Sequence, residues 1–243
     1  MGKGKLYMLP VPIAAGAPEE VLPEGTIRTA QELKYFLAEN AKSARAFLKL
    51  CAHPLPISSL SISEIGHKPD LAKLKEWLKP ALQGEDIGVV SEAGCPGVAD
   101  PGAQIANLAH RLGIRVVPLV GPSSILLALM ASGLDGQHFR FCGYLPIKEP
   151  SRTNGIKDLE RKSASAFGET QLFIETPYRN SAMLQDLVKN CAPSTQVLVA
   201  TDITGSEETI RTFSVSEWKK KDLSLPKLPT IFGVLAAKKT RRS

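Results

Sequence analysis

The chain has 243 residues, 43% hydrophobic and 22% charged, with a formal net charge of +6 and a pI near 9.1. That is the composition of a soluble globular protein large enough for one large or two modest cores. The mildly basic balance permits RNA or another anionic partner without demanding one, and four widely spaced cysteines, Cys51, Cys95, Cys142 and Cys191, with no C-x-x-C, favour a reduced, cytoplasmic setting over a disulfide framework.

The first strand is expected over 5–9, closed by Pro10-Val11-Pro12. Lys3 and Lys5 precede the apolar stretch 6–15 as in a signal peptide, but Pro10 and Pro12 would interrupt its helix. Residues 14–26 read as loop. The periodicity of 33–50 fits one helix, or a strand followed by a helix. Residues 53–69, with Pro54, Pro56 and a serine-rich piece, read as an irregular link. A helix then opens at Pro69-Asp70, turns Leu71, Leu74 and Leu78 inward, and ends at Pro80.

Residues 87–102, IGVVSEAGCPGVADPG, are the most informative stretch. A short apolar strand breaks into a loop of small residues and proline, and a helical pattern follows with Ile105, Leu108, Ala109 and Leu112 on one face. Strand, small-residue loop and helix is how α/β folds build ligand sites, because glycine lets backbone approach a ligand and a helix start offers free N–H groups. The glycines at 94, 97 and 102 match neither the dinucleotide fingerprint nor a P-loop. A plain Gly/Pro turn after a buried strand explains the stretch equally well.

Another strand is expected over 115–120, and an apolar helix over 125–131 between Ser123-Ser124 and Gly133. Continuous apolar strands alternating with helices predict a parallel sheet covered on both faces. The second half reads as a mixed sheet. Its strands are expected at 139–146, 171–175, 196–201, 209–215 and 230–236, with a helix over 180–190 and an antiparallel pairing of 209–215 with 230–236. The expected fold is thus α/β in two domains, 1–120 with a parallel sheet and 121–243 with a mixed one. Residues 238–242 read as a frayed basic tail. No run of 18 apolar residues exists; the longest candidate, 116–131, holds Pro118, Gly121 and Pro122, so no membrane span is expected. His53, His67, His110 and His138 are isolated in sequence, so no metal site is expected.

Four blocks, LYMLPVPI (6–13), GEDIGVVSEAGCPGVADPG (84–102), RVVPLVGPSSILLALMASGL (115–134) with FCGYLP (141–146), and FIETPYRN (173–180), stand in a fixed order. Together they resemble the tetrapyrrole methylase superfamily, and within it the ribosomal RNA small-subunit methyltransferase I branch, over nearly the whole chain. The resemblance implies two α/β domains with S-adenosyl-L-methionine in the cleft between them, a homodimer, and methylation of a ribose 2′-hydroxyl. It places Pro12 and its neighbours at the cofactor, the backbone of Gly94, Cys95, Pro96, Gly97 and Val98 on the methionine part, with Asp100 and Tyr144 close by. Ser123 and Ser124 stand beside the cofactor, Thr176 near the cleft, and Pro229 and Thr230 near the adenine. Two stretches depart from the branch: Ala14-Ala15-Gly16 follows Ile13 in place of Gly-Asn-Leu, and Asn40-Ala41-Lys42 replaces Asp-Thr-Arg.

Methyl transfer from a sulfonium asks the enzyme to position the nucleophile in line and exclude water, and a hydroxyl must also lose a proton. Glu39, Glu175 and Arg179 are the catalytic candidates, with Glu92 also on a loop that the resemblance places at the cleft. Glu175 and Arg179 serve equally as proton acceptor and phosphate grip or as a structural ion pair. Asp100 reads also as a plain helix cap. Lys148, Arg152, Lys157, Arg161 and Lys162 are candidates for tracking an RNA backbone, or form a solvated face. A small-molecule methylase, such as one acting on a tetrapyrrole, and a non-catalytic S-adenosylmethionine-binding protein remain open alternatives.

Overall fold

Short aliphatic segments build the first sheet: β1 (Lys5–Leu9), β2 (Tyr35–Ala38), β3 (Ser61–Glu64), β4 (Ile87–Val90) and β5 (Arg115–Pro118). They pair in the order β3-β2-β4-β1-β5, every pair parallel. The computed structural model describes residues 2–70, 72–165 and 168–237. It divides the chain into two compact units, Met1–Ser123 and Ser124–Ser243. Leu71 and the basic tail 238–242 lie outside the described residues.

In the first unit α1 (Glu24–Glu32) and α2 (Ala41–Leu50) cover one face of the sheet, where Ile27, Ala30, Phe47 and Leu48 meet Leu9, Phe36 and Val90. On the other face α3 (Leu74–Trp77), α4 (Lys79–Leu82) and α5 (Gly102–Arg111) bring Leu74, Ala81, Ile105 and Ala109 against Leu6, Met8, Ile87 and Val89. The central strand β4 is buried throughout, whereas the edge strands β3 and β5 are part-exposed and carry Ser, Glu or Arg.

Three expectations are corrected here. Residues 24–26 begin α1 instead of continuing a loop; Gly25 disfavours a helix by about 1 kcal/mol, but burying a side chain such as Ile27 is worth about 1.5–3 kcal/mol. The supposed irregular link contains β3, held by backbone pairing with β2 from Tyr35↔Ser61 to Ala38↔Glu64. Pro80 does not end a helix; it sits in the first turn of α4, where its missing N–H costs nothing.

The second unit begins with α6 (Ser124–Ser132) and continues with β6 (Phe139–Tyr144), α7 (Ser151–Ser163), β7 (Thr170–Glu175), α8 (Asn180–Asn190), β8 (Gln196–Thr201), β9 (Thr209–Ser214), α9 (Val215–Trp218) and β10 (Thr230–Leu235). The sheet order is β6-β7-β10-β8-β9; β6 and β7 are parallel and the other pairs antiparallel. The expected pairing of 209–215 with 230–236 does not occur, since β8 lies between them. Val197, Leu198, Val199 and Ala200 are buried on both faces of β8, which therefore needs a neighbour on each side. The alternating, half-exposed β9 with Arg211 suits the edge. Phe173 and Phe232 sit opposite each other in register and stack at 5.4 Å, at the centre of a core closed by Ile156, Leu184, Leu187 and Trp218.

All four cysteines are free. Burial pushes the Cys51 and Cys191 thiols up to about 12, with Glu19 and Glu160 adding to the respective rises. The thiolate is the reactive form. Iodoacetamide at pH 8 is therefore expected to leave both unlabelled in the native protein and to label them in guanidinium, as mass spectrometry of the digested chain would read. Native labelling of either at the rate of a free thiol would contradict that burial.

Candidate active site

The carboxyl ends of parallel strands are where α/β sheets place ligands, and three loops meet there in the first unit. After β1, Val11 forms an isolated antiparallel bridge with Gly94 in the loop after β4; Val11 N–H donates to Gly94 O at 3.0 Å and Gly94 N–H to Val11 O at 3.2 Å. Cys95 Sγ lies 3.3 Å from Pro122 O and 3.8 Å from Gly121 O, in the segment after β5. These ties join the β1, β4 and β5 loops through Val11, Gly94, Cys95, Gly121 and Pro122, and Pro12, Pro96 and Ser123 are their neighbours in sequence. Burial raises the Cys95 thiol above its ordinary value, and Asp100 raises it further, so Cys95 is a poor nucleophile.

The loop is shaped for close approach. Gly97 has φ +83°, and a Cβ there would stand 3.3 Å from Met8 Cε. Ala99 is held at φ +60°, a conformation that costs a residue with a Cβ about 1–2 kcal/mol. Val98 is half exposed at the loop's tip. Backbone this free of side chains can approach a ligand closely.

Asp100 braces the turn. Its Oδ1 accepts from Gly97 N–H at 2.5 Å and Gly102 N–H at 2.8 Å, joining the loop to the first residue of α5. Burial pushes its carboxyl up from the ordinary value, the two N–H groups pull it back, and the charge of Glu39 adds to the rise. Losing such a cap costs about 1–2 kcal/mol. Asp100→Ala is expected to destabilise the first unit by that amount, and Asp100→Asn, which keeps an acceptor, by less than half of it. Hydrogen exchange of peptides from 87–112 would measure both.

Glu39 leaves β2 with its N–H on Val90 O, and its side chain is only 11% exposed. Its Oε1 lies 2.5 Å from Nδ1 of His67, which follows β3. Glu92, exposed after β4, completes a group whose ligand-type atoms all lie within 4.8 Å of one another. His67 had no signal in the sequence; only the parallel order β3-β2-β4 brings it to Glu39. Asn40 caps α2, its Oδ1 accepting from the N–H groups of Lys42 and Ser43.

In the second unit Glu175, at the end of β7, pairs in register with Thr230, at the start of β10. Glu175 is buried, and its Oε1 accepts from Arg179 Nε at 3.0 Å, Arg179 Nη2 at 2.5 Å and Thr176 N–H at 2.6 Å. Three donors on one oxygen make it an anchor for Arg179. The Thr230 hydroxyl is taken up by Asn180, Thr201 and Leu228 O. Pro229 O accepts Asp202 N–H, Tyr144 is 61% exposed at the end of β6, and Ser124 begins α6. Of the basic run, Arg152 is paired with Glu149 and Asp186, and Arg161 and Lys162 both bind Asp158.

Residues 11–218 match the family of Tetrapyrrole (Corrin/Porphyrin) Methylases. The chain belongs to this family. As a tetrapyrrole methylase it is a methyltransferase whose methyl donor is S-adenosyl-L-methionine. It is 31% identical over 225 residues to the Ribosomal RNA small subunit methyltransferase I of Escherichia coli O157:H7, covering 90% of this chain and 73% of that protein. The protein of the same name from Bacillus subtilis is 31% identical over 224 residues, covering 90% and 71%. This tetrapyrrole methylase therefore falls in that branch. Among solved structures, the methyltransferase CobJ superposes with a TM-score of 0.64 at 18% identity, covering 99% of this chain and 97% of that one. The uroporphyrin-III-C-methyltransferase of Thermus thermophilus gives 0.53 at 18%, covering 96% and 92%. These two likenesses speak for the fold alone.

Proposed function

We propose that this tetrapyrrole methylase acts on small-subunit ribosomal RNA, at a ribose 2′-hydroxyl. The observation that carries this reading is the likeness, over nine-tenths of the chain, to relatives named for that RNA. The exposed face of α2 supports it: Lys42, Arg45 and Lys49 recur there at i, i+3 and i+7, the helix contains no acidic residue, and none of the three is in an ion pair with a described residue. That stripe starts three residues after Glu39 and can neutralise phosphates, unlike the largely paired run on α7.

S-adenosyl-L-methionine, when bound, would supply a sulfonium methyl group that an oxygen takes up in line as the sulfur leaves as a neutral thioether. The chain's own part is positioning. In this reading Pro12, the 94–98 backbone, Asp100, Ser123, Ser124 and Tyr144 hold the cofactor, together with Thr176, Pro229 and Thr230. Glu39 and its neighbours form the polar surface against which the hydroxyl loses its proton, and Arg179, fixed by Glu175, grips a phosphate.

The test supplies methyl-labelled cofactor and small ribosomal subunits from cells lacking the protein. Label in the RNA, in a nucleotide whose 3′ linkage resists alkali, is the expected result. Label absent from RNA while the cofactor still binds would sink the reading. The Asn40-Ala41-Lys42 replacement favours a second reading, a small-molecule acceptor, for which activity would not fall with salt as RNA binding must. A cytoplasmic homodimer is part of the first reading, in keeping with four free cysteines; light scattering giving the mass of one chain would remove the dimer from it.

A further inference from the structure

We propose that Glu39, His67 and Glu92 form a binding site for a divalent transition-metal ion such as Mn²⁺ or Zn²⁺. The three residues are far apart in sequence and each leaves a different strand. β2, β3 and β4 are neighbours and parallel, so their carboxyl ends bring the three side chains to one edge. The ligand-type atoms lie within 4.8 Å of one another, so some point lies no more than about 2.8 Å from each, a small relaxation from the metal–ligand lengths of about 2.0–2.2 Å. His67 Nδ1 faces Glu39 Oε1 directly, so an ion would take the place of the proton they share. One imidazole and two carboxylates are a mixed nitrogen and oxygen set, which favours first-row transition ions over Mg²⁺ or Ca²⁺.

Charge at this edge argues the same way. Glu92 makes no hydrogen bond or ion pair with a described residue, and Glu39 stands close enough to Asp100 for its charge to raise that carboxyl. Neither Lys42 nor Lys68, which flank them in sequence, pairs with any of the three carboxylates. Among the described residues the one side chain paired with any of them is His67, which meets Glu39 and is 79% exposed. Glu39 is the rigid ligand, its backbone tied to Val90 O and its side chain nearly buried. His67 and Glu92 are exposed, so an ion held here keeps coordination positions open to an outside oxygen, the pattern of a catalytic and not a structural site. That such an ion would hold and acidify the acceptor hydroxyl rests on the function proposed above; the site itself does not.

The full chain, stripped with EDTA, would be titrated with MnCl₂ while electron paramagnetic resonance follows free Mn²⁺, and with ZnSO₄ by calorimetry. One ion per chain is expected, with at least tenfold weaker binding in Glu39→Gln, in His67→Ala and in Glu92→Gln, and little competition from Mg²⁺. His67 and Glu92 are exposed, so their variants keep the fold, which circular dichroism would check. No binding by the wild-type chain, or wild-type affinity in His67→Ala and Glu92→Gln, would overturn the proposal. Neither result bears on whether the chain methylates RNA.

Discussion

Gly97→Arg is expected to weaken S-adenosyl-L-methionine binding by at least 100-fold in a protein that still folds. At φ +83° a residue with a Cβ is strained by about 1–2 kcal/mol, and the Cβ itself would stand 3.3 Å from Met8 Cε and 3.7 Å from Ala103 N. The position is half-buried, so a guanidinium has a way out towards solvent, past the loop proposed to hold the cofactor. A 100-fold loss is about 2.7 kcal/mol, the scale of a ligand displaced from its best contacts. Calorimetry with the cofactor reads the affinity and circular dichroism the fold. Unchanged affinity would remove the 94–98 loop from the cofactor site.

Gly121→Ala is expected to cost the first unit about 2–3 kcal/mol, the upper range of overpacking effects. A Cβ there would lie 2.3 Å from Pro10 Cβ, 2.8 Å from Pro10 Cγ and 3.1 Å from Leu22 Cδ2. A proline ring cannot rotate away, so the loop after β1 must move as backbone. That loop is tied to Gly94 through Val11, and displacement would reach the candidate cofactor site as well. Faster hydrogen exchange across 6–13 and 87–98, with the second unit unaffected, is the expected pattern. Stability within about 0.5 kcal/mol of the wild type would mean the loop yields without loss.

How far the sequence could be read depended on where each segment gets its stability. β1, β4 and β10 are buried strands whose apolar residues announce them. β3, with Ser-Ile-Ser-Glu, hides because its stability comes from backbone pairing with β2 at an edge, and α1 hides behind Gly25, Thr26 and Thr29. β8 was legible as a strand but its place between β9 and β10 was not, since neighbours in a sheet are chosen by three-dimensional burial and not by order along the chain. In the candidate site, the 94–102 loop carries its own local chemistry in glycine and proline. His67 carries none, and the missed β3 concealed that it stands beside Glu39.

The loops after β2, β3 and β4 each leave the sheet separately, while the register beneath them is fixed by buried strands. Such an edge can exchange one loop without disturbing the next. The 40–42 segment fits this: Asn40 still caps α2, and Glu39 still hangs from Val90, although the neighbouring side chains differ from those of the branch it resembles. A protein built this way can change its acceptor by substituting a few residues of loop and keep its methyl donor, so the family's spread from tetrapyrroles to RNA demands no redesign of the scaffold.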